Sequence, residues 1–313
     1  MVSALVVAGC STAGGGGKTK DGLQTIRLTN TKYAAELLPI TAGQQRGIFK
    51  AHGINLELTT AKSSDIATSA LVSHRADLAF MQQAFVVSAA ASGAPLVMVG
   101  NVLNQLDYHL IVGKDINSVS DLVGKKFGGP GPNNGNTAVM RYIMDKSGLG
   151  QKNLQYVTVG VQAAILASIR SGQAQAGLLV APFDIQARQE GLHDLGSVAK
   201  YLPGASAAVI AGESSTVKSE SGAIKKFLAA LVEANQWVAD NPDAAIALLA
   251  KTAKMSPGDA KASYEEVAAT YAKDGAMSRP ALQEWIDVAL KYGVMTKSVK
   301  ASDVYDPSLL PSG

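Results

Sequence analysis

The 313 residues contain one cysteine, Cys10, so neither a disulfide framework nor a cysteine-built metal centre is available to the folded body. Charge is sparse. Only 17% of residues are Asp, Glu, Lys or Arg, and 28 basic against 25 acidic side chains leave a formal charge of +3. Aromatics make up 5% of the chain and no run of five basic residues occurs. A nucleic-acid-binding protein needs both a basic footprint and stacking platforms, so that class is disfavoured. No stretch approaches the roughly 18 consecutive apolar residues of a bilayer-spanning helix. The four histidines, His52, His74, His109 and His193, show no paired spacing for metal or base work, and no Gly-x-Ser-x-Gly elbow or Gly/Lys phosphate loop is present. These absences argue against an enzyme and leave binding, with no cofactor and no metal expected.

What is present begins at the amino terminus. Leu5-Val6-Val7-Ala8-Gly9-Cys10 is apolar, ends in two small residues and runs into a Ser/Thr/Gly/Lys tract. It resembles a bacterial lipobox, which implies lipid attachment at Cys10 and an extracytoplasmic, membrane-tethered location. Met1-Val2-Ser3 carries no positive charge, whereas an export signal opens with Lys or Arg, so the start of the signal is expected upstream. Ser11 to Gly22, with four consecutive glycines, reads as a flexible spacer. Residues 1–23 are therefore assigned to a leader remnant and linker, and the remaining chain is long enough for two compact units.

From Thr25 the pattern alternates short apolar strands with amphipathic helices. Strands are expected at 25–29, 55–58, 78–81, 96–99 and 110–112, with helices at 40–52, 64–74 and 85–91. The cycle then repeats, with a strand entered near 127, strands at 154–159 and 177–180, and helices at 137–147 and 163–170. Such alternation argues for α/β architecture with parallel strands covered on both faces. Within it, Ala70 to Leu78 aligns without a gap to Ser168 to Ala176, each reading as helix end, tight turn and strand entry. Beyond Ser219 the pattern is helical, with segments at 223–241, 242–252, 257–273 and 280–292 that open on Pro or on Ser, Asp or Asn.

Five motifs in register carry a family resemblance: Gly47 to Leu58, Ala70 to Phe80, Ala91 to Leu96, Ser120 to Phe127 and Trp237 to Ala244. Together they resemble the extracytoplasmic solute-binding proteins of ABC importers, of the nitrate, taurine and alkanesulfonate type, and are similar to the binding proteins for thiamine pyrimidine precursors. The resemblance implies a two-lobed type II periplasmic-binding-protein fold. One lobe would comprise residues 24–111 plus 206–313, with the helical tail packed on it, and the other residues 112–205. Crossovers would fall near 107–113 and 205–212. It also implies capture of a small polar organic or anionic solute for delivery to a membrane permease, by a monomer. His74 and Gln175 depart from the pattern, where relatives carry Gly and Asp. A ligand-sensing adaptor, or an enzyme on the same fold of desulfinase or pyrimidine-synthase type, is the alternative, although the cysteine such enzymes use is missing from the body.

In open α/β sheets, ligands bind at the carboxyl ends of strands, where helix N-termini offer unpaired N–H groups. That places candidate contacts in the strand-to-helix loops: Tyr33; Ser63 and Ser64; Gln82 and Gln83; Asn104, Asp107 and Tyr108; Asn133, Asn134, Asn136 and Thr137; Gln162; Pro182 and Phe183. Amide side chains donate and accept, which suits a polar solute of low charge. Ser63, Ser64, Asn136 and Thr137 equally suit helix caps. Tyr33, Phe85, Tyr108 and Phe183 lie at or next to the cleft loops and are placed to sandwich an organic group, with core the favoured reading for Phe85, while Phe227, Trp237 and Trp285 read as core. Asp107, if it faces the cleft, favours a protonated nitrogen. Arg46 and Arg141 fall within helices, and no basic residue is clearly aimed at the pocket.

Overall fold

The apolar runs form buried strands: all four residues of Leu78–Met81 and all six of Ala208–Glu213 are shielded from solvent. The computed structural model describes residues 19–132, 134–203 and 205–311, so Cys10 and Asn133 lie outside the described residues. Ten strands are described: β1 Gln24–Asn30, β2 Ile54–Thr60, β3 Leu78–Met81, β4 Leu96–Leu103, β5 His109–Val112, β6 Lys126–Gly129, β7 Gln155–Thr158, β8 Ala176–Leu179, β9 His193–Ser197 and β10 Ala208–Glu213. They form two five-stranded sheets, ordered β2-β1-β3-β10-β4 and β7-β6-β8-β5-β9.

The two sheets have one plan. In each, three strands run parallel (β2, β1, β3; β7, β6, β8), and the fourth position is an antiparallel strand contributed from across a crossover. The chain leaves the first sheet after β4, enters the second as β5 and returns from β9 to β10. β10 then pairs antiparallel with both β3 and β4. β9 and β10 are strands that periodicity missed. The Ala- and Gly-rich Ala208–Glu213 has no polar alternation because it is buried throughout. Gly212 has no room for a Cβ, which would lie 2.6 Å from Val217 Cγ2.

The first seven helices are α1 Leu38–Gln45, α2 Ile48–Ala51, α3 Ser64–Val72, α4 Gln83–Ala91, α5 Gly135–Lys146, α6 Gln162–Arg170 and α7 Phe183–Gln189. The single helix expected over 40–52 is two, because Gly47 adopts φ 75° and reorients the chain. Six more follow β10: α8 Ser214–Ser219, α9 Ser221–Asp240, α10 Pro242–Ala253, α11 Pro257–Ala268, α12 Arg279–Lys291 and α13 Ala301–Val304. Phe227 of α9 stacks on Phe49 at 5.4 Å, within the core built on the first sheet. The tail also reaches the second sheet's helices. Arg141 of α5 donates to the Tyr292 carbonyl at 2.6 Å, and Gln189 of α7 donates to Asp259 of α11 at 3.2 Å. Among the described residues, no helix is long and apolar enough to cross a membrane.

The sequence echo has a hydrogen-bond counterpart. His74 and Gly172 hold equivalent left-handed turns at φ 54° and 73°. His74 tolerates that backbone with its Nδ1 3.1 Å from Thr216 Oγ1. Three residues on, Asp77 donates its N–H to the Arg27 carbonyl at 2.9 Å and accepts from the Arg27 N–H at 2.8 Å. Gln175 does the same with Lys126, at 2.8 and 3.1 Å. An amide thus stands in for the acid because the shared task is to close the neighbouring strand's backbone. Asp77 does more, since its buried carboxylate also accepts from the Arg27 guanidinium at 2.5 and 3.1 Å.

The two positions are therefore expected to differ in weight. Asp77→Ala leaves a buried N–H and the guanidinium unserved and lowers unfolding free energy by about 1–3 kcal/mol, while Gln175→Ala at its partly exposed site costs under about 1 kcal/mol. Urea denaturation at neutral pH measures both, and equal losses would contradict the assignment.

Candidate functional site

The parallel strands of each sheet end where the next helix begins, so helix N-termini gather along one edge of each sheet. Between these edges lies a cleft of about 220 Å³. Its wall on the first-sheet side comes from the β1–α1 loop (Thr31, Lys32, Tyr33, with Glu36 behind), the start of α3 (Lys62, Ser63, Ser64) and the start of α4 (Gln82, Phe85). The second-sheet side supplies Pro130, Asn134, Asn136, Val161, Gln162 and Val180, with Tyr108 at the crossover. Four helices, α3, α4, α5 and α6, point their N-termini here. Anionic groups are favoured at such ends.

Eight of the sequence-predicted residues line this cleft: Tyr33, Ser63, Ser64, Gln82, Tyr108, Asn134, Asn136 and Gln162. Several also have structural tasks. Ser63 Oγ caps α3 by accepting from Ile66 N–H at 3.3 Å, and Asn134 Oδ1 caps α5 by accepting from Asn136 N–H at 2.9 Å. Gln162 Oε1 accepts from Val180 N–H at 3.0 Å, which fixes its amide across the mouth of β8 and turns its NH₂ away from that bond. The Gln82 amide donates to the Tyr108 hydroxyl. Burial raises the Tyr33 hydroxyl pKa and holds that of Tyr108 well above its usual value, so both stay protonated and able to donate.

Six predicted residues stand apart from the lining. The Gln83 side chain accepts from Ser206 N–H at 2.7 Å and works inside the core. Thr137 Oγ1 donates to the Gly131 carbonyl at 2.6 Å and shapes the loop. Pro182 is the N-cap of α7, and Phe183 packs edge-on to Tyr33 at 5.8 Å, so it supports the wall from behind. Asn104 Oδ1 and both carboxylate oxygens of Asp107 are buried without hydrogen-bond partners.

Two sequence expectations need correction. Basic residues do reach the cleft: Lys62 at its rim and Lys32, whose side chain is 5% exposed and ion-paired with Glu36. Both sit in loops where the flanking pattern gives no period to follow, and the pairing of Lys32 with Glu36 four residues later was the available signal. Phe85, read as core, borders the cleft. Trp285 is buried as expected, yet it also borders a narrow side slot of about 20 Å³ with Gln82, Tyr108 and Asn136, and its indole N–H has no partner.

The cleft floor holds an electrostatic conflict. Glu36 and Asp107 lie together with Lys32 as the nearby cation, and Tyr33 N–H donates to Glu36 at 2.9 Å. Burial, reinforced by the Glu36 charge, pushes the Asp107 carboxyl up to about 8. Asp107 is accordingly a neutral acid at pH 7, not a free anion offered to a solute.

Comparison with known proteins gives a consistent picture. A family model described as NMT1/THI5 like matches residues 34–245. A protein of Brucella abortus (strain 2308), named as a binding protein, is 24% identical over 241 residues, 75% of this chain and 72% of its own. The 4-amino-5-hydroxymethyl-2-methylpyrimidine phosphate synthase of Schizosaccharomyces pombe is 29% identical over 103 residues, 32% of this chain and 30% of its own. Among solved structures, the periplasmic aliphatic sulphonate binding protein SsuA from Escherichia coli superposes with a TM-score of 0.76 at 18% identity, covering 90% of this chain and 96% of that one.

The Asp107 assignment carries a pH signature. The unfolded chain releases this proton near 3.8 and the folded chain near 8, so the folded state binds the extra proton and loses stability as pH rises through that window. Asp107→Asn, which cannot ionise, should flatten the fall of unfolding free energy between pH ~5 and ~8. A slope unchanged from wild type in urea titrations would refute the neutral carboxyl.

Proposed function

The chain belongs to the NMT1/THI5-like family, and from that membership we propose that it is the solute-binding component of an ABC import system. It captures a small polar organic or anionic solute between its two sheets, which act as the two lobes of a clamp, and hands it to a membrane permease. The observation that carries this reading is the cleft itself. Its walls come from both sheets, four helix N-termini face it, and its volume of about 220 Å³ falls below the ~300–1,000 Å³ of drug-sized sites.

The division of labour follows from the lining. Helix N-termini and Lys62 receive the anionic head, with Ser64, Asn136 and the Gln162 NH₂ as neutral donors. Tyr33, Phe85 and Tyr108 contact the organic part. Glu36 neutralises Lys32, so the floor demands less negative charge than two lysines alone would. An organosulfonate is the first class to test, because the Escherichia coli neighbour is named for sulphonate binding. Among the described residues, the cleft lining includes neither histidine nor cysteine. The lipobox-like stretch ending at Cys10 supports an extracytoplasmic location and a lipid tether beside the permease, with the chain acting as a monomer.

A thermal-shift panel of sulfonates, nitrate, carboxylates, pyrimidines and amines tests the reading. A true solute at one hundred times its Kd adds about 2.7 kcal/mol of stability and raises the midpoint accordingly. Asn136→Ala should weaken that solute about tenfold, close to 1.4 kcal/mol, in isothermal titration. If no solute moves the midpoint, or if NMR shows a solute being chemically altered, the reading fails.

A further inference from the structure

Behind the cleft, five charged or titratable side chains meet where β5, α7, β9 and α11 come together. Arg188 of α7 donates from Nη1 to Asp194 at 2.8 Å and to Asp184 Oδ2 at 3.2 Å, and from Nη2 to Glu266 Oε1. His109 Nδ1 lies 2.7 Å from Asp194 Oδ2, and Asp194 Oδ1 accepts from Gly196 N–H at 2.7 Å. Three carboxylates thus face one guanidinium, and the arginine engages a single oxygen of each. Asp184 Oδ1 is left over, on a side chain that is 0% exposed, with no hydrogen-bond partner. A buried carboxylate oxygen in that state calls for a partner, which a proton shared with Glu266 supplies in the metal-free protein and a cation can replace.

We propose that His109, Asp184 and Glu266 form a site for a divalent transition-metal ion that ties α7 to α11 behind the cleft. One donor atom from each residue lies within 4.8 Å of the other two. Metal–ligand bonds near 2.1 Å place three donors about 3.4–3.6 Å from one another, so binding draws the side chains together by up to about 1 Å, a rotamer-scale adjustment. Asp194 supplies the supporting contact: it holds a proton on His109 Nδ1, which leaves the Nε2 lone pair for a metal. Arg188 occupies one oxygen of Asp184 and one of Glu266, which leaves a second oxygen on each for an ion. Despite burial, the Asp194 hydrogen bond raises the His109 pKa, and burial with the Asp184 carboxyl alongside pushes Glu266 up to about 7, so a divalent ion enters by displacing protons from both. The imidazole favours Zn²⁺ or Co²⁺ over Mg²⁺ and Ca²⁺, which prefer all-oxygen shells.

The site also bears on the cleft. Asp184 follows Phe183 in the first turn of α7, and Phe183 packs against the cleft residue Tyr33. An ion that fixes α7 against α11 therefore stiffens one wall. The donors come from three elements far apart in sequence, so no spacing motif announces them.

The test uses the full chain stripped with EDTA and titrated with ZnCl₂, with MgCl₂ in parallel, following the thermal midpoint and the heat of binding. Zn²⁺ should raise the midpoint and Mg²⁺ should not. His109→Gln and Glu266→Gln, both at partly exposed positions that leave the core intact, should each weaken Zn²⁺ at least tenfold. Co²⁺ should give visible d–d absorption in wild type that is lost in His109→Gln. No Zn²⁺ response overturns the proposal. So does a response of equal size in wild type and both variants, which would place the ion elsewhere, such as at Cys10 or the His52–Glu233 pair.

Discussion

The structure depends on an exchange of strands. β5 completes the second sheet between β8 and β9, and β10 completes the first between β3 and β4. Each exchanged strand runs antiparallel to its neighbours, so it adds hydrogen bonds without adding another strand-to-helix edge. Only the parallel trios build the functional edge, and the two crossovers bring the edges face to face. The cleft follows from this arrangement. Its polar lining is rich in amides because the residues that terminate strands and open helices must already satisfy backbone groups, and the remaining hydrogen-bonding capacity points at the gap.

The electrostatics repeat one theme at two places. At the cleft floor, Lys32 is paired with Glu36 while Asp107 stays protonated beneath them. Behind the cleft, Arg188 is shared among Asp184, Asp194 and Glu266. Cations are embedded in excess acid, and burial beside a second acid holds a proton on Asp107 in one case and pushes Glu266 up to about 7 in the other. His109 bonding holds Asp194 down at about 2 despite its partial burial, so that residue remains an anion throughout the physiological range.

Much of this was legible in the sequence. Short apolar runs located the parallel strands, and the Ala70–Leu78 and Ser168–Ala176 echo marked equivalent joints of the two halves, whereas the shared task of Asp77 and Gln175 emerges only from their hydrogen bonds. Loop position identified eight cleft residues because helix starts at strand ends are a local consequence of chain direction. What escaped was set by distant neighbours. β10 carries no alternation because strands and helices cover it on every side. Gln83 and Thr137 look like binding residues in any strand-to-helix loop, and only the positions of Ser206 and Gly131 show that they are spent on the core. Asp107 acquires its character from Glu36 and Lys32, across a span that no window of sequence compares.

The place of β10 has a kinetic side. Val209 pairs with Met81 and Ala208 with Leu103, so the first sheet stays open along β3 and β4 until the whole second half has been made and has folded back. Pairings between residues so distant are slow to form and are paid for in chain entropy before they are rewarded. The amino-terminal half emerging from a ribosome therefore lacks the central strand that would lock it. Until β10 is made, the second sheet has all five of its strands while the first remains split between β3 and β4.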